Sequence, residues 1–337
     1  MFMNTGSLGD VIISTMILGN EKLFDESLKL FMLIKNEYTG LLKNYNGRAK
    51  VICLQSSHYK WNPFYRIKFL KQLHSLNLSL CCNLTSARGI SSDEIALLSG
   101  AQKVYCFANT WKNLKKAFSK RMDACYDEVL FEGIENEYER HVELIKKLTG
   151  SKNINIIGNG SGIFHEKNFT LPNNKKYIAI APLAQNFSRT WGVDKFQLLC
   201  KKLSAKYSVI LLGAGNEFKH LETIKNGNDE IKNFAGEIAL HDLSSAIKNS
   251  LLFVGNDSGL SHLALRLNMP MIAIIGGGAY KKYFPYAANK TRAYQYHPLD
   301  CFGCEWVCSQ KEMYCLTKVD VDEIYSAAIK MIGQNEA

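Results

Sequence analysis

A polar insert between two apolar segments reads Val254-Gly255-Asn256-Asp257-Ser258-Gly259-Leu260-Ser261-His262-Leu263-Ala264. The segment before it, residues 251–254, has the composition of a buried strand, and apolar residues return after it at the spacing of one helix face. The insert is therefore predicted to be a strand-to-helix turn at the sheet edge where α/β folds bind ligands. Free amides and the helix dipole favour an anion there. The alternative is an ordinary capped helix with a buried His262.

The same alternation of strands and helices runs through both halves of the chain. Short apolar segments predict strands at 2–4, 28–34, 51–54, 76–80, 104–107, 177–182, 209–212, 251–254 and 271–275. The four segments of the second half are rich in Ile and Val, which is typical of parallel strands covered on both faces. Residues 151–175 are rich in Asn, Gly, Ser and Lys, which indicates a domain junction. We expect a first domain over 1–165, a second over 176–320 and a C-terminal helix over 321–337.

The composition limits the classes of partner. Two domains are expected of 337 residues, and 47% apolar residues are enough for a sizeable core. A formal charge of +10 favours an anionic partner, but the scattered lysines argue against nucleic acid. No apolar segment approaches the ~20 residues of a membrane helix. The apolar segment 11–18 is not expected to be a signal peptide, because Asp10 lies directly before it and no basic residue precedes it. We therefore expect a cytoplasmic protein.

Three charged side chains follow predicted strands. Asp10 ends a glycine turn, Gly6-Ser7-Leu8-Gly9-Asp10, where it can cap the next helix or act as a general base. Arg189 follows the strand at 177–182, and its guanidinium can bind a phosphate through two parallel hydrogen bonds. A lone arginine at this position is more often a surface residue. Glu217 follows another glycine turn and can accept hydrogen bonds from ribose hydroxyls.

Residues 55–71 mix aromatic side chains with basic ones, among them Lys60, Arg66 and Lys68. This pattern predicts a loop and helix that face an anionic acceptor. A solvated amphipathic helix explains the pattern slightly better.

Cysteines fall into two groups. Six are dispersed among apolar neighbours and are expected to be reduced core thiols: Cys53, Cys81, Cys82, Cys106, Cys125 and Cys200. The other four, Cys301, Cys304, Cys308 and Cys315, are concentrated in a loop before the last helix. Four thiolates can hold a structural zinc or iron, but the spacing is equally compatible with free thiols or disulfides.

Taken together, these motifs resemble glycosyltransferase family 9, whose best-known members are the ADP-heptose:lipopolysaccharide heptosyltransferases. The resemblance covers nearly the whole chain. It rests on the Gly6–Asp10 turn, on Arg189-Thr190-Trp191, on the 254–264 insert, on Pro270 to Gly276 and on the late cysteines.

The resemblance implies a GT-B fold, in which two Rossmann-like doubly wound domains face each other across a cleft, and an inverting transfer from a nucleotide sugar. It gives Asp10 the role of catalytic base. The residues that it implies for donor binding are Gln185, Ser188, Arg189, Glu217, Ile238, Asp257, Ser258, Gly259 and His262. No cofactor is expected to be obligatory for catalysis.

The most specific function that the resemblance implies is transfer of heptose from ADP-heptose to lipopolysaccharide core, with the enzyme peripheral on the inner membrane. One alternative is a member of the family that glycosylates a protein or another surface glycan with a different nucleotide sugar. Another is a nucleotide-sugar epimerase or a binding protein of similar fold.

Overall fold

The computed structural model describes residues 1–43, 45–110, 121–158, 160, 162–164, 169–172, 175–185 and 189–336. The chain divides into two compact units, Met1–Ile163 and Phe164–Ala337. Each unit has one six-stranded sheet in which all strand pairs are parallel. Among the helices of the described ranges, none has the length and apolar character needed to cross a membrane.

The first unit contains six strands and six helices in its described residues. The strands are β1 (Phe2–Asn4), β2 (Phe31–Lys35), β3 (Lys50–Leu54), β4 (Leu80–Asn83), β5 (Lys103–Phe107) and β6 (Glu128–Leu130). The helices are α1 (Leu8–Ser14), α2 (Met16–Gly19), α3 (Ser56–Trp61), α4 (Pro63–His74), α5 (Ile90–Leu97) and α6 (Glu137–Thr149). Short 3-10 helices lie at Glu21–Leu23 and Asn36–Leu42.

The second unit has the same alternation of strands and helices. Its strands are β7 (Tyr177–Ala181), β8 (Ser208–Leu211), β9 (Ile231–Asn233), β10 (Leu252–Asn256), β11 (Met271–Ile274) and β12 (Arg292–Gln295). Its described helices are α7 (Val193–Ser204), α8 (Phe218–Lys225), α9 (Leu243–Lys248), α10 (Gly259–Arg266), α11 (Tyr314–Thr317) and α12 (Val321–Glu336). Short 3-10 helices lie at Gly215–Glu217 and Gly277–Ala279.

The two sheets have the same strand order. The first is β3-β2-β1-β4-β5-β6, and the second is β12-β11-β10-β7-β8-β9, which is the same order counted from the other edge. In each sheet the chain therefore reverses its direction of travel between the first and fourth strands, β1 and β4 or β7 and β10. Doubly wound folds bind their ligands outside the carboxyl ends of the strands at this switch point.

The core explains why these segments become strands. Every residue of β7, β8 and β10 is buried, since helices cover both faces of the sheet. The C-terminal helix α12 packs on α7 and contributes Ile324, Ala328 and Ile332 to the core of the second unit. Burying each isoleucine side chain contributes about 1.5–3 kcal/mol, so α12 is an integral part of that unit.

Some predicted elements differ in the structure. The strand predicted at 76–80 instead spans Leu80–Asn83, because residues 75–78 close the end of α4 with Asn77 in a left-handed conformation at φ 48°. Two of the six cysteines expected in the core, Cys53 and Cys125, are exposed. All ten cysteines lie in described ranges, and all are free thiols.

Candidate functional site

A buried asparagine joins the two strand ends at the switch point of the second unit. Asn256 is the last residue of β10 and is fully buried. Its Oδ1 accepts a 3.0 Å hydrogen bond from the backbone N–H of Trp191, and its Nδ2 donates to the carbonyl of Pro182. The segment that leaves β7 is thereby held against the turn that leaves β10, so Arg189 and Ser258 belong to one edge of one sheet.

Trp191 anchors this segment from the other side. Its indole is 1% exposed, packs edge-on against Phe196 at 5.1 Å between ring centroids, and donates from Nε1 to the carbonyl of Val319 at 3.0 Å. The tryptophan of the Arg189-Thr190-Trp191 motif is therefore a structural residue. It fixes the backbone from which Arg189 and Thr190 extend.

Polar atoms at this edge are buried without hydrogen-bond partners. Arg189 Nε, Thr190 Oγ1 and Ser258 Oγ have no partner anywhere in the described part of the chain. Each unpaired buried polar group costs about 1–3 kcal/mol, so native structures seldom keep several together without a reason. All three can donate hydrogen bonds, which is the chemistry that recognises an anion.

The amino end of α10 adds backbone donors to the same edge. Ser258 is the N-cap residue, in extended conformation at φ −146° and ψ 170°, but its side chain does not cap the helix. Gly259 is the first helical residue. The first turn of a helix presents free N–H groups and a partial positive charge, so it favours a phosphate or another anion.

His262 supports this turn from inside the fold. Its ring stacks on Phe284 at 4.6 Å between centroids and meets Tyr283 edge-on at 5.4 Å. Burial lowers the pKa of His262 from 6.5 to about 3, so the imidazole is neutral near pH 7. Its Nε2 lies 3.8 Å from Oδ1 of the buried Asp257. His262 is therefore buried, as the alternative interpretation of this turn expects, and whether it also contacts a donor stays a prediction.

The remaining predicted donor residues lie on neighbouring turns of the same sheet. Glu217 is half-buried after β8, where one carboxylate oxygen accepts a 2.7 Å hydrogen bond from the backbone N–H of Ala214. Ile238 is half-buried in the segment after β9. Gln185 is exposed after β7. Ser188 lies outside the described residues. The structure thus brings the turns together without testing which side chains contact a donor.

Trp306 reaches the same edge from the cysteine loop, residues 301–315. The guanidinium carbon of Arg189 lies 5.0 Å from the centroid of the Trp306 ring, within cation–π range. The indole rests on the glycine turn after β11. A Cβ at Gly276 or Gly278 would lie 2.8 or 2.3 Å from its atoms, so glycine is needed for this close approach. Trp306 Nε1 is also buried, and no described residue accepts a hydrogen bond from it.

The four late cysteines converge on one small cavity. Cys301, Cys304, Cys308 and Cys315 all line a space of about 10 Å³ beside the glycine turn. Burial raises the pKa of the Cys315 thiol, and any thiolate at the other three would raise it further. Within the described residues, however, no three His, Cys, Asp or Glu side chains form a group that can hold a metal ion. As placed, the thiols do not fit a zinc or iron site.

Asp10 caps a helix in the first unit. Its Oδ2 accepts hydrogen bonds from the Ser7 backbone N–H at 2.8 Å and from Ser7 Oγ at 2.7 Å, and the Asp10 N–H donates back to Ser7 Oγ at 3.5 Å. This capping box confirms the structural interpretation of Asp10. The carboxylate is half-buried at the turn that follows β1, on the ligand edge of the first sheet.

Hydrogen bonds within the fold join the turns of the first unit to each other. Asn4 is 1% exposed; its Nδ2 donates to Ser14 Oγ at 2.6 Å and to the carbonyl of Leu84 at 3.3 Å. The Thr5 N–H donates to Thr85 Oγ1 at 3.1 Å. These bonds fix the backbone around Asp10 to the turn after β4.

The predicted acceptor-binding residues lie on α3 and α4. Lys60 and Lys68 are exposed. Arg66 donates to the Glu94 carboxylate from Nε, at 2.5 Å, and from Nη2, so its charge is already balanced. Whether these side chains contact an acceptor stays a prediction.

Sequence reasoning missed several residues that shape the two sites, namely Asn4, Arg88, Asn256, Thr190 and Trp306. Asn256 had a signal: an asparagine at the end of an otherwise apolar strand needs buried partners. Trp306 had none, because its contact with Arg189 joins residues far apart in the sequence.

Comparison with known proteins places this geometry in context. Residues 135–309, just over half of the 337, match the model of glycosyltransferase family 9 (heptosyltransferase). Lipopolysaccharide heptosyltransferase 1 of Campylobacter coli is 26% identical over 306 residues, which cover 84% of this chain and 86% of that protein.

Among solved structures, the E. coli ADP-heptose lps heptosyltransferase II aligns over 100% of this chain and 99% of its own, with a TM-score of 0.76 and 16% identity. The bacterial iron-containing dodecameric glycosyltransferase TibC from enterotoxigenic E. coli H10407 aligns over 100% of this chain and 76% of its own, with a TM-score of 0.58 and 13% identity. The predicted α/β fold of the GT-B class, with two Rossmann-like domains, is confirmed.

Proposed function

The chain belongs to glycosyltransferase family 9, and from this premise we propose that it transfers heptose from ADP-heptose to a lipopolysaccharide-core acceptor, with inversion at the anomeric carbon. It is a glycosyltransferase by family. The sugar and the acceptor are proposed on the names of its relatives, the lipopolysaccharide heptosyltransferase 1 of Campylobacter coli and the ADP-heptose lps heptosyltransferase II of E. coli.

The observation that carries the proposal is the cluster of unpaired buried donors at the second switch point. Arg189 Nε, Thr190 Oγ1 and Ser258 Oγ are the unpaired groups, beside the amino end of α10. We assign this cluster, the donor cradle, to the diphosphate of the nucleotide sugar. A guanidinium can hold phosphate oxygens in a bidentate geometry, and the helix start supplies further donors.

The same cradle has a catalytic consequence. Breaking the bond from the anomeric carbon to the diphosphate places negative charge on the leaving group, and donors that are already oriented stabilise that charge in the transition state. One such donor is often worth about 3 kcal/mol. We assign Asp10 the role of general base that removes the proton from the acceptor hydroxyl. Glu217 and Ile238 are assigned to the nucleoside, and Lys60, Arg66 and Lys68 to the acceptor.

The membrane placement is part of the same proposal. A lipopolysaccharide-core acceptor is a glycolipid, so the enzyme would meet it at the inner face of the inner membrane. The formal charge of +10 suits a phosphorylated acceptor at an anionic surface.

The test is acceptor-dependent release of ADP by the purified chain. With ADP-heptose and lipopolysaccharide core as substrates, ADP should form only when both are present, and the glycolipid should gain one heptose by mass. ADP release with a protein or another glycan, and none with lipopolysaccharide core, would replace the proposed acceptor. A reaction of the nucleotide sugar that needs no acceptor would favour an epimerase and refute the proposal.

A structural zinc or iron at Cys301, Cys304, Cys308 and Cys315 is a separate proposal. Its support is that the four thiols share one cavity and that TibC, which has a similar fold, is iron-containing. Metal binding would require the side chains to turn toward each other. Metal analysis of the purified protein tests this proposal. About one zinc or iron ion per chain, lost in a Cys301→Ser/Cys304→Ser variant, would support it. A purified protein that contains no metal and whose stability does not change when zinc or iron is added would refute it.

A further inference from the structure

Large apolar side chains are exposed where α3 meets α4 in the first unit. Trp61 is 77% exposed, Phe64 83% and Ile67 54%. Trp61 and Phe64 are the two most exposed large apolar side chains in the part of the chain that the structure describes. Single exposed apolar residues are ordinary, but three within seven positions form a patch that is typical of a binding surface.

Helix geometry places Phe64 and Ile67 on the outer side of α4, and Trp61 lies at the end of α3, two residues before α4 begins. Asn62 caps α4 by accepting a hydrogen bond from the Tyr65 N–H at 3.0 Å, and Pro63 occupies the first turn. The inner side buries Phe69 and Leu73. Residues 64, 67, 68 and 71 follow the spacing i, i+3, i+4 and i+7, so Phe64, Ile67, Lys68 and Lys71 share the opposite side. All four are exposed.

The charges around the patch have one sign. Lys60, Lys68 and Lys71 are exposed, and the Lys60 ammonium lies 4.7 Å from the centroid of the Trp61 ring. From residue 38 to residue 92 the sequence has eight Lys or Arg and no Asp or Glu. Glu94, which reaches α4 from α5, is paired with Arg66 and 16% exposed. The segment that forms the outer side of α4 therefore carries positive charge and, between residues 38 and 92, no carboxylate of its own.

We propose that Trp61, Phe64 and Ile67 with Lys60, Lys68 and Lys71, here called the α4 face, dock on an anionic lipid surface. Aromatic and aliphatic side chains enter the headgroup region while lysines meet anionic phosphates, which is the composition of interfacial helices. A protein partner or a second copy of the chain would bury the apolar residues equally well. The three lysines without carboxylates favour anionic lipid. This inference rests on the proposed function in one respect: a glycolipid acceptor gives the enzyme a reason to bind a membrane.

Vesicle binding of the full-length chain tests the proposal without donor or acceptor. The protein should co-sediment with vesicles that contain phosphatidylglycerol and much less with pure phosphatidylcholine vesicles. Trp61→Ser/Phe64→Ser should lower the partition coefficient about 30-fold or more, because two apolar anchors are lost. Lys60→Gln/Lys68→Gln/Lys71→Gln should lower it roughly 100-fold, and added salt should remove that difference.

A matched control uses apolar residues that are exposed elsewhere. Leu28 and Leu198 are 47% and 53% exposed, and Leu28→Ser/Leu198→Ser should leave vesicle binding unchanged. Thermal unfolding of all variants should match the wild type, since the substituted side chains lie at the surface. In addition, vesicles should shift the tryptophan emission of the wild type to the blue, and Trp61→Phe should abolish most of that shift while the protein still sediments.

Three results would overturn the proposal. Equal binding to neutral and anionic vesicles would remove the role of the lysines. A wild-type dimer in solution that dissociates in Trp61→Ser/Phe64→Ser, with no vesicle binding by either protein, would assign the face to a second copy. Binding only to vesicles loaded with lipopolysaccharide core would limit the face to the acceptor role already proposed for Lys60 and Lys68, without docking on the lipid surface itself.

The outcome is separable from that of the proposed function. Vesicle binding by the wild type and its loss in the variants stand even if the chain transfers another sugar. Conversely, if transfer to a detergent-solubilised acceptor proceeds while vesicles are not bound, the transferase proposal survives and the α4 face is refuted.

Discussion

The two switch points have the same strand order but opposite chemistry. In the first unit the turns after β1 and β4 are joined by internal hydrogen bonds through Asn4 and Thr85, and the buried Arg88 is paired with Asp93 and Asp123. In the second unit Arg189 and Ser258 retain buried donors that have no partner among the described residues. One fold therefore supports a site rich in carboxylates and amides and another rich in free donors.

This difference indicates where an anion binds. Arg88 and Arg189 each have a buried Nε without a partner, but the terminal nitrogens of Arg88 are paired with Asp93 and Asp123. Arg189 contacts the Trp306 ring and forms no ion pair within the described residues. Topology alone, shared by both sheets, cannot distinguish them. The hydrogen-bond partners of each arginine do distinguish the two sites, because those of Arg88 are carboxylates of the fold and those of Arg189 remain open to a ligand.

Removing the Asp10 carboxylate should have the largest effect. Asp10→Asn should lower kcat about 100- to 10,000-fold, because general-base assistance is lost, while ADP affinity stays within about twofold. Steady-state kinetics and calorimetry measure the two quantities. Ser7→Ala is the matched control, since it breaks the same capping box but leaves the carboxylate. It should cost about 1 kcal/mol of stability and little activity. Equal loss of activity in both variants would reduce Asp10 to a cap.

Arg88→Met should destabilise the fold. Arg88 side-chain exposure is 0%, and removing it leaves Asp93, 2% exposed, as an uncompensated buried carboxylate. Breaking such a pair costs about 3–5 kcal/mol in denaturant unfolding. Arg66→Met is the control, because its pair with Glu94 is 42% exposed on the arginine side and should cost at most about 1 kcal/mol. Similar losses for both variants would contradict the structural role of Arg88.

Arg189→Gln should weaken ligand binding without weakening the fold. The loss of a charged donor to phosphate should lower ADP affinity about tenfold to 100-fold, and the free energy of unfolding should change by no more than about 0.5 kcal/mol. Adenosine provides the control ligand, because it lacks the diphosphate and should bind both proteins equally. If affinity for adenosine and ADP falls by the same factor, Arg189 does not contact the phosphates.

His262 gives the second unit a pH-dependent stability. Burial lowers its pKa from 6.5 to about 3, so the unfolded chain binds a proton that the folded chain excludes. The free energy of unfolding therefore decreases as the pH falls below 6.5, and it continues to decrease until the pH reaches about 3. Between about pH 7 and about pH 5 the loss should be about 2 kcal/mol. His262→Gln should flatten this slope in urea unfolding, and an unchanged slope would contradict the burial effect.

Sequence patterns predicted features that depend on local physics. The turn after β10 was predicted because an apolar strand, a cap residue and a helix period follow one another within residues 251–267. The burial of His262 was expected only under the alternative of an ordinary capped helix. Asp10 was expected at a helix start, as a cap or a general base, and the capping box with Ser7 shows that it caps the helix. Such signals need no knowledge of distant residues.

Non-local features escaped prediction. The strands β6, β9 and β12 carry charged or polar residues and are only partly buried, so they lack the apolar composition that revealed β1, β8 and β11 of similar length. They exist because a neighbouring strand pairs with them. The strand order of either sheet could not be derived, since it depends on which helix covers which face. The environment of Arg189 was missed for the same reason, because Trp306 reaches it from the other side of the glycine turn.

Trp306→Leu should have the smallest effect, and it tests how Arg189 is held. A cation–π contact is worth about 0.5–1 kcal/mol at a partly exposed site, so ADP affinity should fall about two- to fivefold. A merely structural role would lower affinity in any background. If Trp306 acts by positioning the guanidinium, Trp306→Leu should have no effect in the Arg189→Gln protein. In a double-mutant cycle, the coupling energy should then equal the whole ADP binding free energy lost in Trp306→Leu. Phe302→Leu, which changes the ring packed on Gly277 in the same loop, should leave ADP affinity unchanged in both backgrounds. Additive effects of Trp306→Leu and Arg189→Gln would show that the indole supports the turn and not the arginine.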